Sequence, residues 1–179
     1  MKKKKVILIV LSISLSTLML LATFVSIQKD SFLQDSREVL QNRNPIRLED
    51  HNLVDYLHEL KLTAQISKVK WNSGVLTLDL RAGDESSDPS DIYEDIATVA
   101  SFSFEETVNV QQLMLRVMAE DEWMGSRHLL LSADIRRREW SLEALQLLET
   151  WKSAKLPEEL KIWFHMSETN LWRRQFILR

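Results

Sequence analysis

The hydropathy pattern splits the chain into one long uncharged run and a series of short periodic segments. Val6 to Ile27 is 22 residues without a charge, with Lys2, Lys3, Lys4 and Lys5 before it and Lys29 after it. About 20 apolar residues, rising 1.5 Å each, cross a hydrocarbon core of roughly 30 Å, so the run predicts a transmembrane helix over 6–27. Its serines and threonines are tolerable there because each hydroxyl can bond a carbonyl of its own helix. The lysine tip at 1–5 is expected in the cytoplasm and everything after the helix outside. The competing reading is a cleaved signal peptide, whose apolar region is usually about 7–15 residues and ends in an A-x-A-like site. Here the run is longer. Cleavage after Ala22 or Ser26 would place Leu20 or Phe24 at the −3 position, where a small residue belongs.

Beyond the run, 28–45 reads as a stalk. Asp35 and Glu38 have capping-box spacing for a short helix, which the Asn42–Pro45 cluster stops. The domain is expected over 46–179. Leu53, Leu57 and Leu60 recur at helical spacing, so 48–62 predicts an amphipathic helix. Residues 64–71 and 75–81 predict a hairpin about Asn72-Ser73-Gly74; Leu76, Leu78 and Leu80 alternate cleanly with Thr77, Asp79 and Arg81. Asp88, with Pro89 at the first helical position, starts a helix whose stripe is Ile92, Ile96 and Val99, ending near Ser103. Alternation through Leu113, Leu115 and Val117, then Leu129, Leu131, Ala133 and Ile135, predicts a second hairpin over 108–119 and 128–137. Ser141 caps a helix over 142–152, and Ile162, Phe164 and Met166 alternate as a strand over 160–166. The tail 171–178 fits either period. The order α-β-β-α-β-β-α-β implies an α+β domain of about five strands, antiparallel or mixed, with helices on one face.

Several segments resemble one group of proteins. Ile92-Tyr93-Glu94-Asp95-Ile96, Phe102-Ser103-Phe104, Val108-Asn109-Val110 and Leu115-Arg116-Val117 join an N-terminal basic anchor and a tryptophan-rich last third. Together they are similar to small uncharacterised membrane-anchored proteins of spore-forming Gram-positive bacteria. The resemblance implies a cell-surface setting and brings no activity, cofactor or site residue with it.

Charge and composition narrow the function classes. Removing the four tip lysines from 23 Lys and Arg leaves 19 against 26 Asp and Glu, a formal charge of −7 beyond the anchor. An acidic ectodomain argues against nucleic acid and anionic surfaces as partners. With no cysteine there is no disulfide, thiol catalysis or thiolate metal site. Only three glycines occur, so glycine-rich phosphate loops and nucleophile elbows cannot be assembled.

The remaining candidates each carry a plainer explanation. Ser67 and Lys70 match S-x-x-K, which needs both residues on one helix face, yet they fall on an expected strand. Asp84, Glu85, Asp88 and Asp91 offer oxygens to a calcium ion but lack the distal bidentate glutamate of an EF-hand, and a polar loop entering a helix cap explains them equally. Glu120, Asp121 and Glu122 are adjacent carboxylates that point apart on a loop. His51 and His58 lie seven apart, roughly 10.5 Å along a helix, too far for one zinc, and His128 and His165 have no local partner. Arg136 and Arg138 share a face in an extended strand, with Arg137 on the other, and offer a contact for an acidic partner. Trp123 and Met124 form an apolar pair in an acidic connection, a second candidate contact point. The expectation is a single-pass, N-in protein of a bacterial cell envelope. Its ectodomain binds an envelope protein, in a structural or regulatory role rather than a catalytic one, with no cofactor. A calcium or small-ligand sensor and an envelope hydrolase are the alternatives.

Overall fold

Residues 45–82, 88–120 and 125–178 are described by the computed structural model. The expected anchor at 6–27, all of the stalk but Pro45, and the candidates Asp84, Glu85, Trp123 and Met124 lie outside them. No helix among the described residues is long and apolar enough to cross a membrane.

The strands follow the alternation. β1 (Gln65–Asn72) and β2 (Val75–Arg81) form an antiparallel hairpin. Its turn residues Ser73 (φ 47°) and Gly74 (φ 89°) both lie in the left-handed region, as a two-residue turn matched to strand twist requires. A Cβ on Gly74 would also stand 3.2 Å from the Asn109 carbonyl oxygen. β3 (Gln112–Glu120) lies parallel to β2, and β4 (Arg127–Arg136) antiparallel to β3. The short β5 (Ser167–Glu168) closes the order β1-β2-β3-β4-β5, a five-stranded mixed sheet. The architecture is α+β.

Between the hairpins runs α2 (Pro89–Ser101), the crossover that a parallel pair requires. Asp88 caps it by accepting from the Ser90 N–H at 2.9 Å. The helix does not stop near Ser103. It continues as a π-helical turn, Phe102–Glu106, closed by Thr107 N–H on the Phe102 carbonyl. Preceding it, α1 (Leu53–Glu59) is shorter than the expected 48–62. Asn109 holds both the N–H and the carbonyl of Leu48, and Asn52 accepts from Glu49 N–H and donates to the Arg47 carbonyl. Backbone groups committed in this way cannot enter a helix. β3 starts at Gln112 rather than 108 because Ile46 pairs with the 106–108 segment instead.

After β4, α3 (Leu142–Thr150) is capped by the Ser141 hydroxyl, as its sequence implies. The strand expected over 160–166 is absent. Glu158–Trp163 is a helix, α4. Pro157 begins it, Glu158 and Glu159 favour its N-terminus, and Leu160 and Phe164 are buried one turn apart while Ile162 is 69% exposed. The true period was therefore four, and the alternation through Ile162 was accidental. The tail is helical too: α5 (Asn170–Trp172) runs into a π-helical turn, Arg173–Ile177. Thr169 caps it, and Trp172 packs on Phe176 with ring centres 4.5 Å apart.

One face of the sheet is sealed. Leu76, Leu78, Leu80, Leu113, Leu115, Val117, Leu131 and Ile135 are fully buried with Ile96, Val99, Leu148, Phe164 and Trp172 from the helices. Among the described residues, the buried side-chain oxygens Glu105 Oε1 and Glu139 Oε2 accept no hydrogen bond, whereas the large buried polar groups are answered. Trp172 Nε1 and the Tyr93 hydroxyl both donate to the Ala154 carbonyl, at 2.8 and 3.1 Å. Arg137 enters at the end of β4 and donates to the carbonyls of Ser103, Phe104, Thr107 and Val110 at 2.6–3.0 Å. Those include the carbonyls that the π-helical turn leaves open, so the guanidinium ends that turn as a cap.

Candidate binding face

Among the described residues the sheet's other face carries no helix, and strand register arranges it in cross-strand rows. One row reads Lys68, Asp79, Arg116, Ser132; the next reads Lys70, Thr77, Met114, Asp134. A third sets Asn72, Val75, Gln112 and Arg136 side by side. Neighbouring strands lie about 4.8 Å apart, so each row is a line of side chains close enough to interact. All of the first two rows except Asp79, with His165, line an open basin of about 370 Å³.

Asp79 anchors the basin. The residue is 5% exposed, and its carboxylate accepts from both Nε and Nη2 of Arg116 at 2.7 Å. That bidentate bond holds the arginine proton more firmly than usual. Asp134 accepts from the Gln112 amide at 2.6 Å. His165 sits at the rim in a left-handed conformation (φ 45°), its Nδ1 3.1 Å from the Asp134 carbonyl and 3.7 Å from Glu139 Oε2. Lys68 and Lys70 differ from these. Both are exposed, and among the described residues neither side chain has an ion-pair or hydrogen-bond partner. The basin thus presents two free ammonium groups, a pinned guanidinium and the 43%-exposed Met114. Chemically it can receive carboxylates beside apolar groups.

The other sequence candidates scatter. Ser67 and Lys70 lie on β1, and the Ser67 hydroxyl donates to the Asp79 carbonyl, so no helix presents the pair for S-x-x-K chemistry. Asp88 serves as the α2 cap, bonded by Ser90 N–H and its hydroxyl, which lowers its pKa; Asp91 lies in the first turn of the same helix. Among the described residues, no three acidic or histidine side chains are placed to hold a metal. Glu120 is held by Arg81 at 3.2 Å and Arg127 at 3.7 Å. All four histidines are exposed and lie on separate elements. The three arginines do not alternate along one strand: β4 ends at Arg136, and Arg137–Glu139 form a 3-10 turn. Arg136 stays on the open face opposite Gln112, Arg138 pairs with Glu139 at 3.2 Å, and Arg137 turns inward.

Sequence reasoning missed Lys68 and Lys70 as a pair and Arg137 as a cap. The alternation of β1 places both lysines on the polar side, but β4 and His165, which complete the basin with them, are more than sixty residues away. Arg137 is in phase with Leu131, Ala133 and Ile135, a charge at a core position, and that was its one local signal. No family model matches the chain, and no curated protein or solved structure matches it.

Proposed function

We propose that the chain is a membrane-anchored extracytoplasmic interaction module of a bacterial cell envelope, held by residues 6–27, and that an envelope protein docks on the open face of its sheet. The uncharged run Val6–Ile27 behind four lysines supports the anchor and its direction. One observation carries the docking: two lysines without a side-chain partner among the described residues line an open basin on a domain whose overall charge is negative. The role is structural or regulatory, and the reading invokes no cofactor. Arg136, at the end of the face, extends the contact. Arg138, Trp123 and Met124 are the secondary contact points.

Two measurements test this in native membranes. Anchored as proposed, the chain resists carbonate extraction and loses its C-terminal part to protease added outside; extraction, or full protection, defeats the anchor. A photo-crosslinking residue at Met114, on the basin floor, should give a discrete adduct that the same probe at Val54, 67% exposed on α1, does not. Identical patterns from both positions would sink the docking face.

A further inference from the structure

The outer edge of β1 determines what kind of partner the basin takes. Asn72 and Val75 close a two-residue hairpin, and such a closing pair exchanges both its hydrogen bonds. Alternation then turns the backbone groups of Lys70 and Lys68 toward β2 and those of Val69 and Trp71 away from it. The far side of β2 agrees: even-numbered positions there serve β3, with Gln112 N–H on the Gly74 carbonyl and Ala82 N–H on the Met118 carbonyl. Among the described residues no strand pairs with the outer edge of β1. The edge is short, because the register slips between Ile66 and Lys68. It therefore offers the N–H and C=O of Val69 and Trp71, with half-buried Val69 and Trp71 side chains on the helix side and exposed Lys68 and Lys70 on the basin side.

We propose that the partner adds to β1 as an extended strand alternating acidic and apolar residues. This rests on the docking face argued above and names what occupies it. Main-chain bonds to Val69 and Trp71 fix the incoming strand's register. Its apolar residues lie along the flanks of Val69 and Trp71, and its carboxylates reach Lys68 and Lys70 at the rim of the basin. A second copy of this chain is selected against: an antiparallel copy centred on Val69 would set Lys68 opposite the other copy's Lys70, like charge against like charge. The lysines thus block self-pairing and select an acidic strand by one electrostatic rule.

The experiment uses the full-length chain in detergent micelles and three synthetic peptides: alternating glutamate and valine, alternating lysine and valine, and a peptide of the first one's composition with glutamates and valines in separate blocks. Binding is read by anisotropy and amide hydrogen exchange. The alternating acidic peptide should bind best and slow exchange at Val69 and Trp71, whereas Lys68 and Lys70 amides are already protected by β2. The double variant Lys68→Glu, Lys70→Glu should lose roughly tenfold or more in affinity for it and gain for the lysine peptide, on the scale of cross-strand charge pairs. Val69→Pro removes an outward N–H and leaves the β2 ladder intact, so it should cost about fivefold while the β1 amides keep their protection. Binding of the acidic peptide without protection at Val69 and Trp71 overturns strand addition and leaves the docking face standing. Equal binding of the block peptide overturns it as well. Protection of those amides in the peptide-free chain, rising with its concentration, would assign the edge to a second copy instead. Failure of every peptide, with position-114 crosslinks also absent, removes the proposal together with the face it rests on.

Discussion

The two faces of the sheet are built from the same strands by opposite means. On the covered face, Leu76, Leu78 and Leu80 of β2 are fully buried and meet apolar neighbours on every side. On the open face, the residues between them are organised by specific bonds: Asp79 by Arg116, Arg81 by Glu120. Apolar burial is worth about 25 cal/mol per Å² and depends on neighbours filling space. An exposed ion pair such as Arg81–Glu120 is worth roughly 0–1 kcal/mol, and the Asp79–Arg116 bonds are offset by the cost of desolvating the buried Asp79. The covered face therefore holds most of the stability, and the open face is free to vary with what it binds. This asymmetry can be tested by substitutions on each side and at their boundary.

The largest effect belongs on the covered side. Trp172 is fully buried, packs with tilted rings against Tyr93 and Phe176, and gives its indole N–H to the Ala154 carbonyl. Trp172→Ala should cost about 3–5 kcal/mol in denaturant unfolding. A cost under about 1 kcal/mol would mean the C-terminal helix is not part of the core. Next comes Arg137, whose charge is used inside. Arg137→Met keeps length and apolar contact with Phe104 but strands four carbonyls, and about 3 kcal/mol of loss is expected. Arg137→Lys should recover only part of it, since an ammonium cannot reproduce the planar fork. Equal stability of the Met variant and the native chain would show that water serves those carbonyls as well.

Asp95 marks the boundary between the two strategies. It is 3% exposed on α2 and accepts from the N–H groups of Thr63 and Ala64 at 2.8 and 2.7 Å, fixing the entry to β1. Burial raises its pKa above the ordinary 3.8 despite those two bonds, and Asp91 and Glu94 add to the rise. A carboxyl raised in the folded state binds its proton more tightly there than when unfolded. Its contribution to stability is therefore full below the unfolded value and lost as pH rises through the folded one. Asp95→Asn should flatten that part of the stability–pH curve. It should also cost about 1–2 kcal/mol near neutral pH, because an amide can accept only one of the two N–H bonds in the same geometry. An unchanged pH profile would assign the slope to other carboxyls, among them Glu149, whose pKa is raised by burial and by Glu105 and Glu94.

The covered face was the more legible in sequence for the same reason. Burial imposes a period, so the alternating leucines of β2 located Val75–Arg81 to the residue, and Asp88 and Ser141 announced their helices through short-range caps. Period failed where few residues carried it. Leu160–Met166 alternates over seven residues, yet Pro157 and the buried pair Leu160 and Phe164 make it helical. The shortened α1 and the π-helical turn depend on Asn109 and Arg137, partners 61 and about 30 residues distant, which no local window sees. The open-face basin was the least legible, because it arises from register among strands far apart in the chain, and register is not written in any one of them.

The smallest stability effect belongs to Lys70, and that smallness is informative. Lys70 is exposed and opposite Thr77, and its side chain has no partner among the described residues, so Lys70→Ala removes no bond seen there and opens no cavity. It should change unfolding free energy by no more than about 0.5 kcal/mol in either direction. If β1 carries lysines only to keep its edge soluble, the variant should also crosslink its partner as the native chain does and self-associate more readily. If the lysines select an acidic strand, stability stays level while the adduct from a probe at Met114, in the same row two strands further in, falls several-fold. A loss of stability above about 1 kcal/mol would instead show that the open face is being held together by its charges, and the distinction between the two faces would fail.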